Sequence, residues 1–304
     1  MNTKNIFLWI FILTLISCND SNKISFESQW DKMNNRIWAG PAFWANPMQD
    51  WRIQDGRLEC VNQGTNRNVH LLNYQLKPES SVSMSVTIHQ PVANFSGWVG
   101  FRFASHGNLD EYRHNTINST TSHNAMLSSD GTLVLKDDSI KISWDDQLRL
   151  VLKLTPSEKN HLAQFVVKNL EGKTLGMVEA EYESSIMNGN LALVCHSNIN
   201  RPGSYGEPVA AFTDLKIDGK DLRGSEEQRW GPVLWTQYTV DRGILKLSAQ
   251  FPPIGPEDSK QVSLELDRGN GWEKAAESMI DDLARVALFR LEKWDESLDV
   301  PYRV

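Results

Sequence analysis

The segment from Val82 to Ile88 alternates apolar and polar residues without a break, Val-Ser-Met-Ser-Val-Thr-Ile. Successive side chains of an extended strand point to opposite faces, so Val82, Met84, Val86 and Ile88 share one face and the serines and threonine the other. A strand with one apolar face must cover it with a second layer, and a chain of such strands is committed to packed antiparallel sheets. Short runs of similar character return at 97–103, 133–136, 148–154, 163–167, 191–195 and 211–217. Between them stand Asp55-Gly56, Asp130-Gly131, Glu171-Gly172 and Asp218-Gly219, pairs at which a chain reverses at little steric cost. No stretch of residues 24–218 sustains a 3.6-residue period over three turns. The expectation for this region is an all-β antiparallel sandwich.

Residues 219–229, Gly-Lys-Asp-Leu-Arg-Gly-Ser-Glu-Glu-Gln-Arg, are charged and poor in large apolar side chains, as a linker between domains is. The strand pattern then restarts at 233–240, 243–250, 261–266 and 286–291. Strands at that spacing suit a small immunoglobulin- or fibronectin-like sandwich over residues 230–304. Trp272 to Leu283 reads as strand, turn and strand in preference to an amphipathic helix with Ala275, Ala276, Met279 and Leu283 on one side. The chain ends at Val300-Pro-Tyr-Arg-Val304, inside what reads as an edge strand, and the expectation is a domain cut short of its continuation.

The first residues carry a separate message. Lys4 supplies a positive start, Ile6 to Ile16 is a mostly apolar run, and Leu15-Ile16-Ser17-Cys18 follows, the order of a secretory signal. The run is about half of the ~20 residues a membrane-spanning helix needs. Leu-x-Ser-Cys resembles a bacterial lipobox, which implies a signal peptide over residues 1–17, acylation of Cys18 and a polar tether over 18–23. On that reading membrane lipid is a partner, through the acylated Cys18, and the protein is held at the bacterial cell envelope on its periplasmic or outer face. The alternative is an ordinary cleavable signal with an incidental cysteine.

Two further cysteines, Cys60 and Cys195, lie in strand-like runs. Export permits a disulfide between them, but two cysteines in a large domain are no framework, and buried unpaired thiols are the preferred reading. The formal net charge of −7 and isoelectric point near 5.6 argue against nucleic acid as a partner, because a polyanion needs a basic face.

Chemistry is harder to find. His106, His114 and His123 share a segment with Asp110 and Glu111, yet their spacing matches neither of the short pairings that set two imidazoles on one ion. Residues 105–122 read as a solvated polar loop or hairpin. There is no Gly-x-Ser-x-Gly elbow, and Cys195 and His196 are adjacent on a strand and so face opposite ways. The pairs Asp137-Asp138, Asp145-Asp146 and Asp281-Asp282 read as turn residues, and no two carboxylates stand out as a glycosidase pair. No cofactor, metal or catalytic residue is expected of this chain. Trp38, Phe43, Trp44 and Trp51 fall close together with Asn46 and Asp50. Such a group either packs the first strands or forms a flat surface that stacks sugar rings. Trp38, Trp44, Trp51, Asn46 and Asp50 are therefore the candidate ligand-binding residues, with a glycan as the partner.

Several segments together resemble the N-terminal region of exported alkaline phosphatase D-like (PhoD-like) metallophosphoesterases. They are Trp38-Ala-Gly-Pro-Ala-Phe-Trp-Ala-Asn46, Gln49-Asp-Trp-Arg52, Asp55-Gly-Arg-Leu-Glu59, Val99-Gly-Phe-Arg102 and Asp110-Glu-Tyr-Arg113, with Pro232 to Tyr238, Arg242 to Pro253, Phe289 to Asp295 and Val300 to Val304. The resemblance implies a concanavalin- or laminin-G-like jelly-roll sandwich followed by an immunoglobulin-like domain, both accessory to a catalytic domain. Two-metal phosphoester chemistry needs Asp, His and Asn ligands on loops. The signatures Asp-x-His and Gly-Asn-His do not occur here. The resemblance thus implies the front of such an enzyme, with a phosphoesterase domain as a further partner.

Overall fold

The computed structural model describes residues 22–89, 91, 95–106, 121–198 and 208–304. The signal, Cys18, most of the tether, His114 and the Asp110–Arg113 segment lie outside the described residues. Among the described residues no helix is long and apolar enough to cross a membrane.

The chain is all-β, as the alternation requires. Its first strands are β1 (Lys23–Glu27), β2 (Phe43–Asn46), β3 (Trp51–Gln54), β4 (Arg57–Cys60), β5 (Arg67–Leu76) and β6 (Ser81–His89). Next come β7 (Gly97–His106), β8 (Thr121–Ser128), β9 (Thr132–Leu135), β10 (Asp138–Lys141) and β11 (Gln147–Pro156). Then follow β12 (Asn160–Lys168), β13 (Thr174–Glu183), β14 (Gly189–Ser197), β15 (Ala210–Lys220) and β16 (Arg223–Gly224). One sheet runs β13-β12-β11-β6-β15-β4-β3 with β1 on β15, and the second runs β10-β9-β8-β7-β14-β5-β16 with β2 on β5. The late strands β14 and β15 wedge between early ones, one in each layer, which is winding of the jelly-roll kind. The alternating residues meet between the layers: Val82, Met84, Val86 and Ile88 are all buried in the core. Phe101 of the second sheet meets Phe165 of the first edge to face, with ring centroids 6.2 Å apart.

The last strands are β17 (Trp235–Asp241), β18 (Ile244–Gln250), β19 (Gln261–Asp267), β20 (Trp272–Met279), β21 (Val286–Glu292) and β22 (Tyr302–Arg303). They form two three-stranded sheets, β17-β18-β21 and β20-β19-β22. A separate small core of Leu247, Ala249, Phe251, Leu264, Ile280, Ala287 and Phe289 lies between them. Trp272 to Leu283 is strand and turn, not helix, and Asp281 Oδ1 caps that turn by accepting the Leu283 and Ala284 amides.

Three expectations need correction. Asp218-Gly219 is no turn: both residues sit inside β15, paired with Ser25 and Ile24 on one side and Ser83 and Val82 on the other. A Cβ on Gly219 would stand 2.8 Å from the Leu222 side chain and 3.1 Å from the Ser81 carbonyl, so a larger residue there would have to displace Leu222. The stretch 219–229 is also strapped down, since Arg223 and Gly224 pair with Gln75 and Tyr74, and Glu226 accepts hydrogen bonds from the Tyr74 hydroxyl and the Asn73 amide. Asp138 opens β10, where its carboxylate accepts the Glu179 amide.

Candidate functional site

On the second sheet one face is core: Val69, Leu71, Val99, Phe101, Leu193 and Leu127 all point inward. The alternate residues must face away from it. Strand register sets Trp44, His70, Ala192, Arg102 and Asn124 side by side across five strands. The next row is Asn46, Asn68, Val194, Gly100 and Met126, and further along His196 lies beside Trp98. The floor of this face is closed to solvent: Asn68 and Val194 are 0% exposed, Ala192 1%, His70 2% and Arg102 5%. Around it Asn46, Trp98, Asn124 and His196 are half-buried and Trp44 is 39% exposed. Register shifts near Ala104 in β7 and between Asn190 and Ala192 in β14 interrupt both central strands at one end of this floor, a place where bulges re-aim side chains.

Its polar groups form a network. Arg102 donates from Nε to Asn124 Oδ1 and from Nη2 to Asn66 Oδ1, each at 2.9 Å. His196 Nδ1 lies 3.2 Å from the Asn66 backbone amide and 3.4 Å from the Asn66 Oδ1, so it accepts from the one or donates to the other according to its tautomer. The His196 ring stacks on Trp98 with centroids 5.4 Å apart and planes 12° from parallel. Burial, with help from Arg102 and Arg67, holds the His196 imidazole below its ordinary pKa. Asn68 donates to the Asn66 carbonyl, but its Oδ1 is buried without a partner, and so is the Nδ2 of Asn46 opposite it.

Charge is distributed unevenly. Glu59, a buried carboxylate, has Arg52 at 2.8 Å and Arg57 at 3.1 Å, and buried Asp50 has Arg67 at 2.9 Å. Arg102 has only amide oxygens, with no carboxylate among the described residues, and burial alone lowers its pKa to about 10. No Asp or Glu occupies the positions named on this face. Among the described residues these positions offer hydrogen-bond donors and acceptors, one cation and aromatic rings, and no nucleophile.

The candidate residues from sequence divide. Trp44 and Asn46 lie on this face. Trp51 is 0% exposed and packs in the core on Phe212, and Trp38, 4% exposed, meets the Trp230 ring edge-on at 5.9 Å. Asp50 is held by Arg67 and Asn62. Packing, the first of the two readings of this group, describes Trp38 and Trp51, and the three tryptophans form no flat surface: Trp51 on β3 turns into the core, Trp38 is buried ahead of β2, and Trp44 on β2 lies on the outward face. His123 turns inward against Phe103 and Tyr182, and the Nδ1 of His106 lies 3.1 Å from the Ala104 carbonyl. Among the described residues no three His, Cys, Asp or Glu side chains converge to hold a metal. Cys60 and Cys195 are buried free thiols, and the Cys60 thiol, followed by burial, raises the pKa of Cys195 well above its usual value. Sequence reasoning passed over Asn66, Asn68, His70, Trp98 and Asn124, and weighed His196 only as a partner of Cys195. The signal was present in Asn68-Val-His-Leu71, a strand alternation whose outward half is Asn and His.

Fold and face together define a two-layer β-sandwich with a polar outward face on one sheet. No protein-family model matches the chain, and no curated protein matches it. Solved structures similar to it include basic winged bean lectin with Tn-antigen, at 12% identity and a TM-score of 0.46 over 66% of this chain and 100% of that one. Another is the Emp47p carbohydrate recognition domain, at 12% identity and 0.40 over 66% and 97%. A third is an endo-1,3-beta-glucanase from Streptomyces sioyaensis, at 10% and 0.37 over 57% and 79%. At these values no ligand or activity passes from them to this chain.

Proposed function

We propose that this chain is a carbohydrate-binding lipoprotein of the bacterial cell envelope, with the outward face of the second sheet as its saccharide site. The observation that carries the reading is the amide pair of half-buried Asn46 and buried Asn68, each with one buried side-chain atom whose hydrogen bond is unmade, on a face bordered by Trp44 and Trp98. Unpartnered buried polar atoms cost about 1–3 kcal/mol each, and they persist where a ligand completes them. Sugars suit the face, because hydroxyl groups both donate and accept and ring C–H faces stack on indoles. Screening the purified chain on a glycan array, followed by titration of tryptophan fluorescence, tests this. Binding that is lost in Trp98→Ala and Asn68→Ala supports it, and a chain that binds no saccharide class sinks it.

The resemblance in the segments 38–59, 99–102 and 232–304 supports a compatible second reading, in which these domains are the accessory part of a PhoD-like phosphoesterase and hold its catalytic domain at a glycan-rich surface. The chain alone then turns over no chromogenic phosphodiester with divalent metals, and turnover above blank refutes the non-catalytic assignment. The lipobox-like motif supports anchoring: Cys18→Ala should release the protein from membranes and abolish labelling by fatty acid.

A further inference from the structure

We infer that the saccharide taken by this face is anionic, a uronate or a sulfated sugar whose oxyanion pairs with the guanidinium of Arg102. The inference rests on the carbohydrate-binding reading and names the class of sugar. A charge withdrawn from water is costly unless an opposite charge compensates it. The buried carboxylates of this molecule obey that rule, Glu59 with two arginines and Asp50 with one. Arg102 departs from it: the side chain is 5% exposed, and among the described residues its partners are the neutral amides of Asn124 and Asn66.

Those amides also orient it. They take Nε and one Nη2 hydrogen of a planar fork with five N–H donors, and among the described residues nothing takes the Nη1 pair. A fork fixed along one edge presents the rest in the geometry that carboxylate and sulfate accept best. The neighbours on the floor, Ala192, Gly100 and Val194, are small or apolar, so none of their side chains competes for the guanidinium. Trp98 stands four residues along the same strand face, about 13 Å away, and Trp44 lies three strands across in the same row as Arg102. This spread of aromatics around one cation fits an oligosaccharide carrying a charge on one of its sugars. Burial, Arg102 and Arg67 all disfavour a positive charge on the neighbouring His196 imidazole.

The test sets charged ligands against the same sugars with the charge removed. Oligogalacturonate and its methyl ester form one arm, a sulfated galactan and its desulfated form the other, and binding is read by calorimetry on the purified chain. The wild type should prefer the charged member of one arm at least tenfold, and the arm that responds identifies carboxylate or sulfate. Arg102→Gln, checked for folding by near-ultraviolet circular dichroism, should erase the preference, while Arg102→Lys keeps part of it. Equal affinity of the wild type for both members of each arm overturns the inference without need of any variant, as does a preference that survives Arg102→Gln. A chain that binds neutral glycans as well as charged ones keeps its carbohydrate function and loses only the anionic assignment. Failure to bind any saccharide removes both.

Discussion

Burial holds the imidazoles of His89, His123 and His196 below their ordinary pKa of 6.5, and desolvation is the largest cause for each. A group with a depressed folded-state pKa binds protons more readily when the chain unfolds, so its neutral form stabilises the fold above the unfolded value. That contribution drains away as pH falls through 6.5 toward the folded values and then levels off. The exposed carboxylates with lowered pKa, Glu27, Glu79, Asp130, Glu277 and Asp295, act only below their ordinary values of 4.5 for Glu and 3.8 for Asp. Melting temperature should therefore drop between pH 7 and pH 5, and the double variant His123→Gln, His196→Gln should flatten that slope; an undiminished slope removes these histidines as the cause. The tryptophans separate by the same logic of burial. Trp51→Ala empties a fully closed site beside Phe212 and should cost about 3–5 kcal/mol in denaturant unfolding, whereas Trp44→Ala should stay within about 1 kcal/mol. Sequence shows that these rings are neighbours along the chain. It cannot show which of them turns inward, because that depends on the sheet each strand joins: β2 pairs with β5 in the second sheet, while β3 pairs with its hairpin partner β4 in the first.

At the scale of elements, β7 is the strand that the outward face depends on most, and two glycines govern its contacts. Gly100 has φ +153°, and a Cβ there would lie 2.0 Å from the Ala125 carbonyl oxygen of β8, while one on Gly97 would lie 1.9 Å from the His196 carbonyl of β14. Backbone cannot yield as a flexible side chain can. Gly100→Ala should cost at least about 2–3 kcal/mol and spread β7 from β8, where amide hydrogen exchange would register the change first. Gly172→Ala, with nothing within 4 Å and φ +87°, should cost only about 1 kcal/mol; equal losses in the two variants would show that strain rather than close approach sets the cost. The strands legible from sequence were those with a plain apolar half, such as β6 and β11. Strand β5 was not, since Asn68, His70 and Asn73 give it the composition of a loop although all three are buried. The segment after β15 misled in the opposite sense: its charges are exposed from Arg223 to Arg229, as a linker's are, yet its backbone completes the sheet edge at β5.

The two cores meet through few but specific contacts. Trp230 donates its backbone amide to the Pro41 carbonyl and its indole N–H to the Phe43 carbonyl, and its ring packs on Trp44 at 4.9 Å and Trp38 at 5.9 Å. Beyond it Asp258 accepts from Asn34 at 3.0 Å and pairs with Arg36 at 3.3 Å, and both members of the pair are 14% exposed. A partly enclosed ion pair of this kind is worth more than a surface one, since less water screens it. The seven-residue second core is small, and a sandwich of that size gains little from burial alone, so its stability should be borrowed across this contact. In that case the wild type unfolds in one transition by calorimetry and hydrogen exchange. Trp230→Ala combined with Asp258→Ala should split it, with Leu247, Phe251 and Phe289 losing protection first while Val86 and Leu150 keep theirs. A single transition at a lower temperature in the double variant would instead make the small core independent of the Trp230 seam, and the coupling would then have to lie in the wall of the cavity of about 510 Å³ between Ile53 and Ile280.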